Sequence, residues 1–400
     1  MSNLENGKFF DGDYFSYESN PCFCGVDTTN ISPGVVEHRL KIQSQKDIKT
    51  YFAFSGEAGL CRTTENGSVR QENLLKEVVS LPDNDIQAMI SFFETNGFFF
   101  KVGSENYESL SLEDVVEIIN RLKATVALMN EIESPEIDYE RMISLTLYLL
   151  LSQQISIELS TLSRPYVSCK HFLSGEIDKA SQLPEIDGQQ EAFQKDTYTI
   201  RDSIYNSYEL DIEEYNDVVS GNIYANRYPG YLDMRYKSIV YLYRNGINLS
   251  KNRRYVIDFL FHFMREVGVV GSVSFEHGIE YYSDVPQIAL LDEKMKNCAV
   301  VVAKIILNEE MNHNLSGISP RYSVQKMGPT WRVPNLISAL YFSVFYLRPG
   351  IEVYRKCANP ACNNRFVVKT TNGRKKYCCA NCRNATAQRN HRKKVKSNKI

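Results

Sequence analysis

Residues 357–382 have the sequence CANPACNNRFVVKTTNGRKKYCCANC, in which two close cysteine pairs flank a turn signal. The first pair has four residues between its members, and the second has three. Zinc prefers four tetrahedral nitrogen or sulphur ligands, and paired cysteines at such spacings supply them. Asn372-Gly373 favours a type I′ hairpin turn, because both positions must tolerate positive φ. The stretch therefore predicts a zinc site that closes around a β-hairpin.

The order of these signals predicts a treble-clef-like zinc finger. A cysteine knuckle precedes a hairpin with strands at Arg365–Lys369 and Lys375–Tyr377, and the last cysteine lies at the start of a helix. About fifty residues bury too little to fold alone, so a metal would hold them. The expected Zn²⁺ ligands are Cys357, Cys362, Cys378 and Cys382. Cys379 competes with Cys378, because a two-residue spacing to Cys382 is equally allowed; a set of unligated thiols is the alternative.

The last fifty residues are strongly basic. They hold fourteen Lys or Arg and one acid, whereas the preceding 350 residues hold 32 basic and 47 acidic side chains. The predicted terminal helix has a cationic face that can neutralise phosphates, formed by Arg389, Arg392, Lys393 and Lys396. Arg383, Asn384 and Gln388 are candidates for reading base edges. The alternative is a solvated basic terminus without a specific partner.

Residues 336–396 resemble the C-terminal part of bacterial CGNR-type zinc-finger proteins. The matching features are Leu336–Leu347, Cys357, Cys362, Phe366, Tyr377-Cys378, Cys382-Arg383-Asn384 and the Arg389–Lys396 helix. The family pattern has Gly-Asn-Arg after the last cysteine, whereas this chain has Arg383-Asn384-Ala385, so only the asparagine coincides. The resemblance implies a zinc-dependent DNA-binding transcription regulator with an N-terminal sensing domain. It also favours Cys378 over Cys379 as a ligand, because an aromatic residue precedes the cysteine in the family.

The rest of the chain predicts a mainly helical body with minor β-structure. Apolar residues recur with helical spacing in Asp85–Thr95, which Asn96-Gly97 would end by allowing positive φ. Ser111 and Asp114 can form a capping box at the start of another helix. Asn335–Leu347 is apolar nearly all round and predicts a buried helix. Short strands are expected at Leu40–Gln43, Tyr51–Phe54 and Phe98–Val102.

Length and composition predict several domains, since 400 residues exceed what one core usually serves. Four segments are expected. Residues 1–173 form a mainly helical region with short strands, and residues 174–230 a polar, tyrosine-rich connection. Residues 231–350 form a helical domain, and residues 351–400 form the zinc finger with its basic helix.

The sequence does not predict an enzyme. It lacks the phosphate-loop, nucleophile-elbow, zincin and dinucleotide-binding motifs. Glu310-x-x-His313 is half of a di-iron carboxylate pattern. Because the sequence has no second copy of this pattern, we interpret the tetrapeptide as a solvated helix end. Glu309-Glu310 is interpreted as an ordinary surface pair, and His262 as a core histidine.

Another metal site is a weaker alternative in the first third of the chain. Cys22 and Cys24 could bind a metal together with Cys61 or His38. Because only scattered partners exist, reduced thiols in a loop are the preferred interpretation.

These patterns together predict a cytoplasmic, zinc-dependent nucleic-acid-binding protein, with DNA preferred over RNA as its partner. The start of the chain lacks a secretory signal, and no apolar run approaches the roughly 18–20 residues that span a bilayer, so no membrane partner is expected. Two alternatives stay open. One is an RNA-binding protein. The other is a protein-interaction module with a purely structural zinc, whose tail docks on a second copy to give a homo-oligomer.

Overall fold

The computed structural model describes residues 13–32, 35–55, 59–64, 69–83, 85–171, 174–175, 197–199, 209–211, 234–245, 249–282, 286–324, 327–346, 352–362, 365–369, 376–377 and 380–397. Contacts divide the chain into two units. Unit 1 comprises Met1–Glu133, Ile155–Ser168 and Met311–Ile400. Unit 2 comprises Ser134–Gln154 and Cys169–Glu310. The division of the sequence at residues 173, 230 and 350 stays a prediction.

The strands are β1 (Asp13–Ser19), β2 (Cys22–Ser32), β3 (Val35–Ser44), β4 (Thr50–Ser55), β5 (Gly59–Thr63), β6 (Val69–Asn73), β7 (Glu108–Ser111), β8 (Ser156–Ile157), β9 (Tyr166–Val167), β10 (Thr197–Thr199), β11 (Glu209–Asp211), β12 (Val270–Ser274), β13 (Gly278–Tyr281), β14 (Ser319–Ser323), β15 (Gly328–Arg332), β16 (Glu352–Lys356) and β17 (Arg365–Lys369). The α-helices are α1 (Leu74–Val79), α2 (Ile86–Asn96), α3 (Leu112–Ile132), α4 (Tyr139–Leu151), α5 (Met234–Asn245), α6 (Lys251–Glu266), α7 (Glu293–Leu315), α8 (Leu336–Tyr346) and α9 (Ala380–Ser397).

The prediction of a mainly helical fold is wrong, because the described residues form an α+β mixture. They contain seven sheets: one four-stranded (β1-β4-β5-β6), one three-stranded (β2-β3-β7) and five two-stranded. The missed strands carry many polar residues. In β3, for example, Glu37, His38 and Arg39 precede the buried Leu40 and Ile42. Cross-strand pairing with β2 stabilises such a segment, and periodicity within one strand does not reveal it.

Unit 1 is built around the four-stranded sheet and helix α8. Phe15 on β1 and Phe54 on β4 stack with ring centroids 5.4 Å apart. Phe342 on α8 meets both rings edge-on, at 5.2 Å and 5.1 Å. All three rings are buried, so each contributes about 150–250 Å² of surface removed from water. The predicted buried helix at the end of the body is therefore confirmed, and it packs on the β-sheet.

The Ser111 half of the predicted capping box and the predicted end of α2 are confirmed in unit 1. The Ser111 hydroxyl accepts a hydrogen bond from the backbone N–H of Asp114 (3.3 Å) at the start of α3. Helix α2 ends at Asn96, and Gly97 follows with φ +84°. The expected strand at Phe98–Val102 is wrong. Its phenylalanines instead pack as a cluster against α2, with Phe93 and Phe98 rings 5.0 Å apart.

Replacing Gly97 with Ala is expected to destabilise unit 1 by about 2 kcal/mol or more. The positive φ disfavours any side chain, and a Cβ would overlap the Ser19 hydroxyl and lie 2.5 Å from the Asn20 carbonyl oxygen. Urea unfolding followed by fluorescence of Trp331 on β15, the only tryptophan, measures the change. Gly103→Ala is the control, because its nearest neighbour would be 3.6 Å away. Equal unfolding midpoints for the two variants would contradict this account of Gly97.

Unit 2 combines helices with small hairpins. Helix α5 packs on α6 through Tyr243 and Phe261, whose stacked rings are 3.9 Å apart. His262 on α6 is buried, with its Nε2 3.4 Å from the buried Asp258 carboxylate, which confirms the interpretation of a core histidine. Hairpin β12–β13 contacts α4, where the Tyr148 and Phe275 rings lie 5.8 Å apart. None of the helices in the described ranges combines the length and apolar character needed to cross a membrane.

Candidate metal centre and basic helix

Three of the four predicted ligands converge in space. The sulphur atoms of Cys357, Cys362 and Cys382 all lie within 4.8 Å of one another. Cys357 follows β16 directly and is buried, while Cys362, Cys382 and Tyr377 pack against it. Cys362 lies in a turn, and Cys382 lies in the first turn of α9. The cluster therefore brings together the two ends of residues 357–382. We call residues 352–397 the finger segment.

The first pair of cysteines lies in a turn that its own backbone hydrogen bonds hold. Cys362 donates its N–H to the carbonyl oxygen of Asn359 (2.8 Å), and Ala361 donates to the Asn359 side-chain oxygen (3.2 Å). Such an asparagine turn favours a tight chain reversal. Ala358 donates to the carbonyl oxygen of Lys376 (2.9 Å), which fixes the chain before the second pair against this turn.

The predicted hairpin of the finger segment is wrong in its strand partner. Strand β17 forms at the expected residues, but it pairs antiparallel with β16, which precedes the first cysteine. Lys376 and Tyr377, the described part of the expected second strand, are not in a strand. The knuckle therefore connects two paired strands, and the segment that contains Asn372-Gly373 lies outside the described residues.

The donor set fits a metal centre. Zn–S bonds are about 2.3 Å long, so tetrahedral zinc requires sulphur atoms roughly 3.8 Å apart. Three thiols that already lie within 4.8 Å need only a small closure to reach that spacing. Cys378 and Cys379 lie outside the described residues. The fourth ligand and the choice between these two cysteines stay predictions, and the bound metal would link the knuckle to α9.

Helix α9 carries the predicted nucleic-acid-binding residues directly after the cluster. Arg383, Asn384 and Gln388 are exposed, as is Arg389, whose guanidinium lies 3.5 Å from the Asn359 side-chain oxygen. The buried Thr386 hydroxyl donates to the carbonyl oxygen of Cys382 (2.9 Å). Arg392, Lys393 and Lys396 lie in the same helix, although their side chains are outside the described part of the structure.

Cys22 and Cys24 lie in strand β2, whereas a loop was expected, and Cys61 lies in β5 of another sheet. Within the described ranges these cysteines are not part of a group that could hold a metal. Burial raises the pKa of Cys22 and Cys61 to about 11 each and that of Cys24 to about 12. Because the thiolate is the ligand form, these values favour inert, protonated thiols at neutral pH.

A cleft of about 390 Å³ lies within unit 2, between α4, the end of α6 and β13. This volume is in the range of small-molecule sites. Its lining mixes apolar and charged side chains, including Phe263, Tyr281, Asp138, Arg141 and His277. No sequence pattern indicated it, because its residues come from distant parts of the chain.

Sequence reasoning also missed a second cluster, formed by Cys169, His171 and Glu310. The interpretation of Glu309-Glu310 as a surface pair is wrong for Glu310, which is 1% exposed. The available signal was the Cys169-x-His171 spacing, because alternate residues of an extended chain point to the same side.

No family model, curated protein or solved structure matches this chain.

Proposed function

We propose that this chain is a zinc-dependent nucleic-acid-binding protein, most simply a bacterial DNA-binding transcription regulator acting in the cytoplasm. The supporting observation is the convergence of Cys357, Cys362 and Cys382 at the start of a basic helix. A metal at this place would fix α9 to a small β-hairpin. The resemblance of residues 336–396 to CGNR-type zinc fingers supports the same function.

In this proposal the zinc has a structural role. When bound, it supplies the free energy that folds a segment with very little apolar core of its own. The chain then presents α9 as a rigid rod. Arg389, Arg392, Lys393 and Lys396 would neutralise phosphates, because guanidinium and ammonium groups release the counterions condensed on a nucleic acid.

Base recognition would come from the first turns of α9. Arg383, Asn384 and Gln388 are exposed on these turns, and their side chains carry the donors and acceptors that read guanine and adenine edges in a major groove. Thr386 faces the other way, since it is buried, so one side of the helix holds the finger segment together while the other faces solvent.

The remainder of the chain would sense a signal or bind a partner. The cleft of about 390 Å³ in unit 2 supports a sensing role, because its charged lining suits a small polar ligand. Proteins of this kind change their DNA affinity when a ligand binds one of two conformations more tightly.

The test is fluorescence anisotropy of the zinc-loaded full chain with labelled duplex DNA, single-stranded DNA and RNA across a salt series. Duplex DNA is expected to bind at least tenfold tighter than either single strand, with an affinity that falls as salt rises. A preference for single-stranded RNA would instead favour RNA binding through exposed bases. Salt-sensitive self-association without nucleic-acid binding would favour the protein-interaction module, and either result would overturn the DNA proposal.

A further inference from the structure

A buried group of mixed metal ligands lies in unit 2, apart from the finger segment. One ligand atom from each of Cys169, His171 and Glu310 lies within 4.8 Å of the other two. The three residues are 6%, 1% and 1% exposed. Burying charged or polar groups costs free energy unless they are paired or coordinate a metal, so a buried thiol, imidazole and carboxylate within reach of one ion are candidate ligands.

The local chain conformation directs two of these side chains to one place. Cys169, Lys170 and His171 follow β9, and burial alternates along them: Cys169 and His171 are buried and Lys170 is exposed. The following turn fixes the segment. The His171 carbonyl oxygen accepts hydrogen bonds from the Ser174 hydroxyl (2.9 Å) and the Gly175 N–H (3.3 Å).

Helix α7 supplies two carboxylates to the same imidazole. The Glu309 carboxylate lies 2.8 Å from His171 Nδ1, and the Glu310 carboxylate lies 3.3 Å from His171 Nε2. A neutral imidazole has one N–H, so it donates to only one of these groups. If Nδ1 donates to Glu309, the Nε2 electron pair faces the Glu310 carboxylate 3.3 Å away. A cation between the ligand atoms of Cys169, His171 and Glu310 would be attracted to the thiolate, to the carboxylate and to the imidazole electron pair.

We propose that Cys169, His171 and Glu310 bind a second divalent metal ion of the zinc type, independent of the finger segment. The ligands would be the Cys169 thiolate, His171 Nε2 and a Glu310 carboxylate oxygen. Borderline-soft ions such as Zn²⁺ and Co²⁺ accept this mixture of sulphur, nitrogen and oxygen donors, whereas Mg²⁺ and Ca²⁺ prefer oxygen alone.

Glu309 is a positioning residue in this site. A histidine that binds a metal usually donates its other N–H to a carboxylate or carbonyl group, which fixes the ring and its tautomer. The 2.8 Å contact between Glu309 and Nδ1 matches that role. Three protein ligands leave one position of a tetrahedral ion for water or an exogenous ligand, as in zinc sites that exchange ligands.

The competing explanation is an ion triad without metal, in which a doubly protonated His171 donates to both glutamates. That arrangement also satisfies the two short contacts, but it gives the Cys169 thiol no role as a ligand. The two explanations differ in whether the folded protein binds a metal through a single thiolate.

The experiment uses a variant of the full chain that lacks the cysteines of the finger segment, which we call the silenced chain. Cys357, Cys362, Cys378, Cys379 and Cys382 are all replaced with Ser, and circular dichroism checks that the rest of the chain stays folded. Titration with Co²⁺ is expected to give about one cobalt per chain, with visible tetrahedral bands and a thiolate-to-cobalt charge-transfer band. Both signals report the coordination itself and do not depend on an activity.

Variants of this silenced chain locate the site. Cys169→Ser should abolish the charge-transfer band, and Glu310→Gln should weaken cobalt binding at least tenfold. Glu309→Gln should weaken binding about 10–100-fold without changing the stoichiometry. Cys298→Ser is the burial-matched control from the same unit and should leave the spectrum unchanged.

The proposal is overturned if the folded, silenced chain gives no thiolate-to-cobalt band, because the cluster is then the metal-free ion triad. A band that survives Cys169→Ser also overturns it. If Cys169→Ser fails to fold, the loss of cobalt affinity in Glu310→Gln beside an unchanged Cys298→Ser still assigns the band to this site. Because the finger cysteines are absent, the result is independent of whether the chain binds nucleic acid.

Discussion

Replacing Cys382 with Ser is expected to release a metal held by the three cysteines and to unfold α9. Structural zinc contributes an apparent 10–16 kcal/mol in zinc-finger peptides, on the order of the whole stability of a domain. The described core of the segment is small: Cys357 is buried, and only Cys362, Tyr377 and Cys382 pack against it. Without the metal, little remains to offset the conformational entropy of ordering α9.

Hydrogen exchange read by mass spectrometry measures this effect. Amides of α9 are expected to lose their protection in Cys382→Ser, while those of α3 keep theirs. Cys24→Ser is the control, because Cys24 is a half-buried cysteine of unit 1 outside the cluster. If the amides of α9 were equally protected in both variants, the three cysteines would not be holding the helix.

Replacing Arg392 and Lys393 with Ala is expected to weaken duplex binding about tenfold or more and to reduce its salt dependence. Each phosphate contact contributes about 0.9 to the slope of log affinity against log salt, so two lost contacts should reduce the slope by about two. The slope reports the phosphate contacts alone, because a general loss of folded protein lowers the apparent affinity without changing the slope.

The matched control removes the same charge from another surface. Lys46 and Lys101 are exposed and lie in unit 1 outside the basic tail. The variant Lys46→Ala with Lys101→Ala should keep the slope of the parent chain. An unchanged slope in the α9 variant would show that Arg392 and Lys393 do not contact phosphates.

Local signals in the sequence predicted those parts of the fold that depend on neighbouring residues. Ser111 caps α3, and Gly97 follows α2 with positive φ, because caps and terminators act within one helical turn. The convergence of Cys357, Cys362 and Cys382 also follows from spacing, since the ligands are close along the chain.

The features that sequence reasoning missed depend on distant contacts. The Asn372-Gly373 turn signal favoured pairing of β17 with the residues that follow it in the chain. Strand β17 pairs instead with β16, which precedes it, and no local signal indicated this partner. The burial of Glu310 depends on a segment almost 140 residues earlier in the chain, which supplies His171. The polar strand β3 is stabilised by two neighbouring strands, β2 and β7, and its own composition does not show this.

The most direct test of the account is the reversible metal dependence of duplex binding by the full chain. Anisotropy would be measured with zinc-loaded protein, after removal of metal by a chelator, and after zinc is returned. We predict that chelation weakens duplex binding at least tenfold and that added zinc restores it, because only the metal-held finger segment presents α9 as a helix. Binding that is the same in all three states would contradict this account and would show that the basic tail binds nucleic acid as unstructured charge.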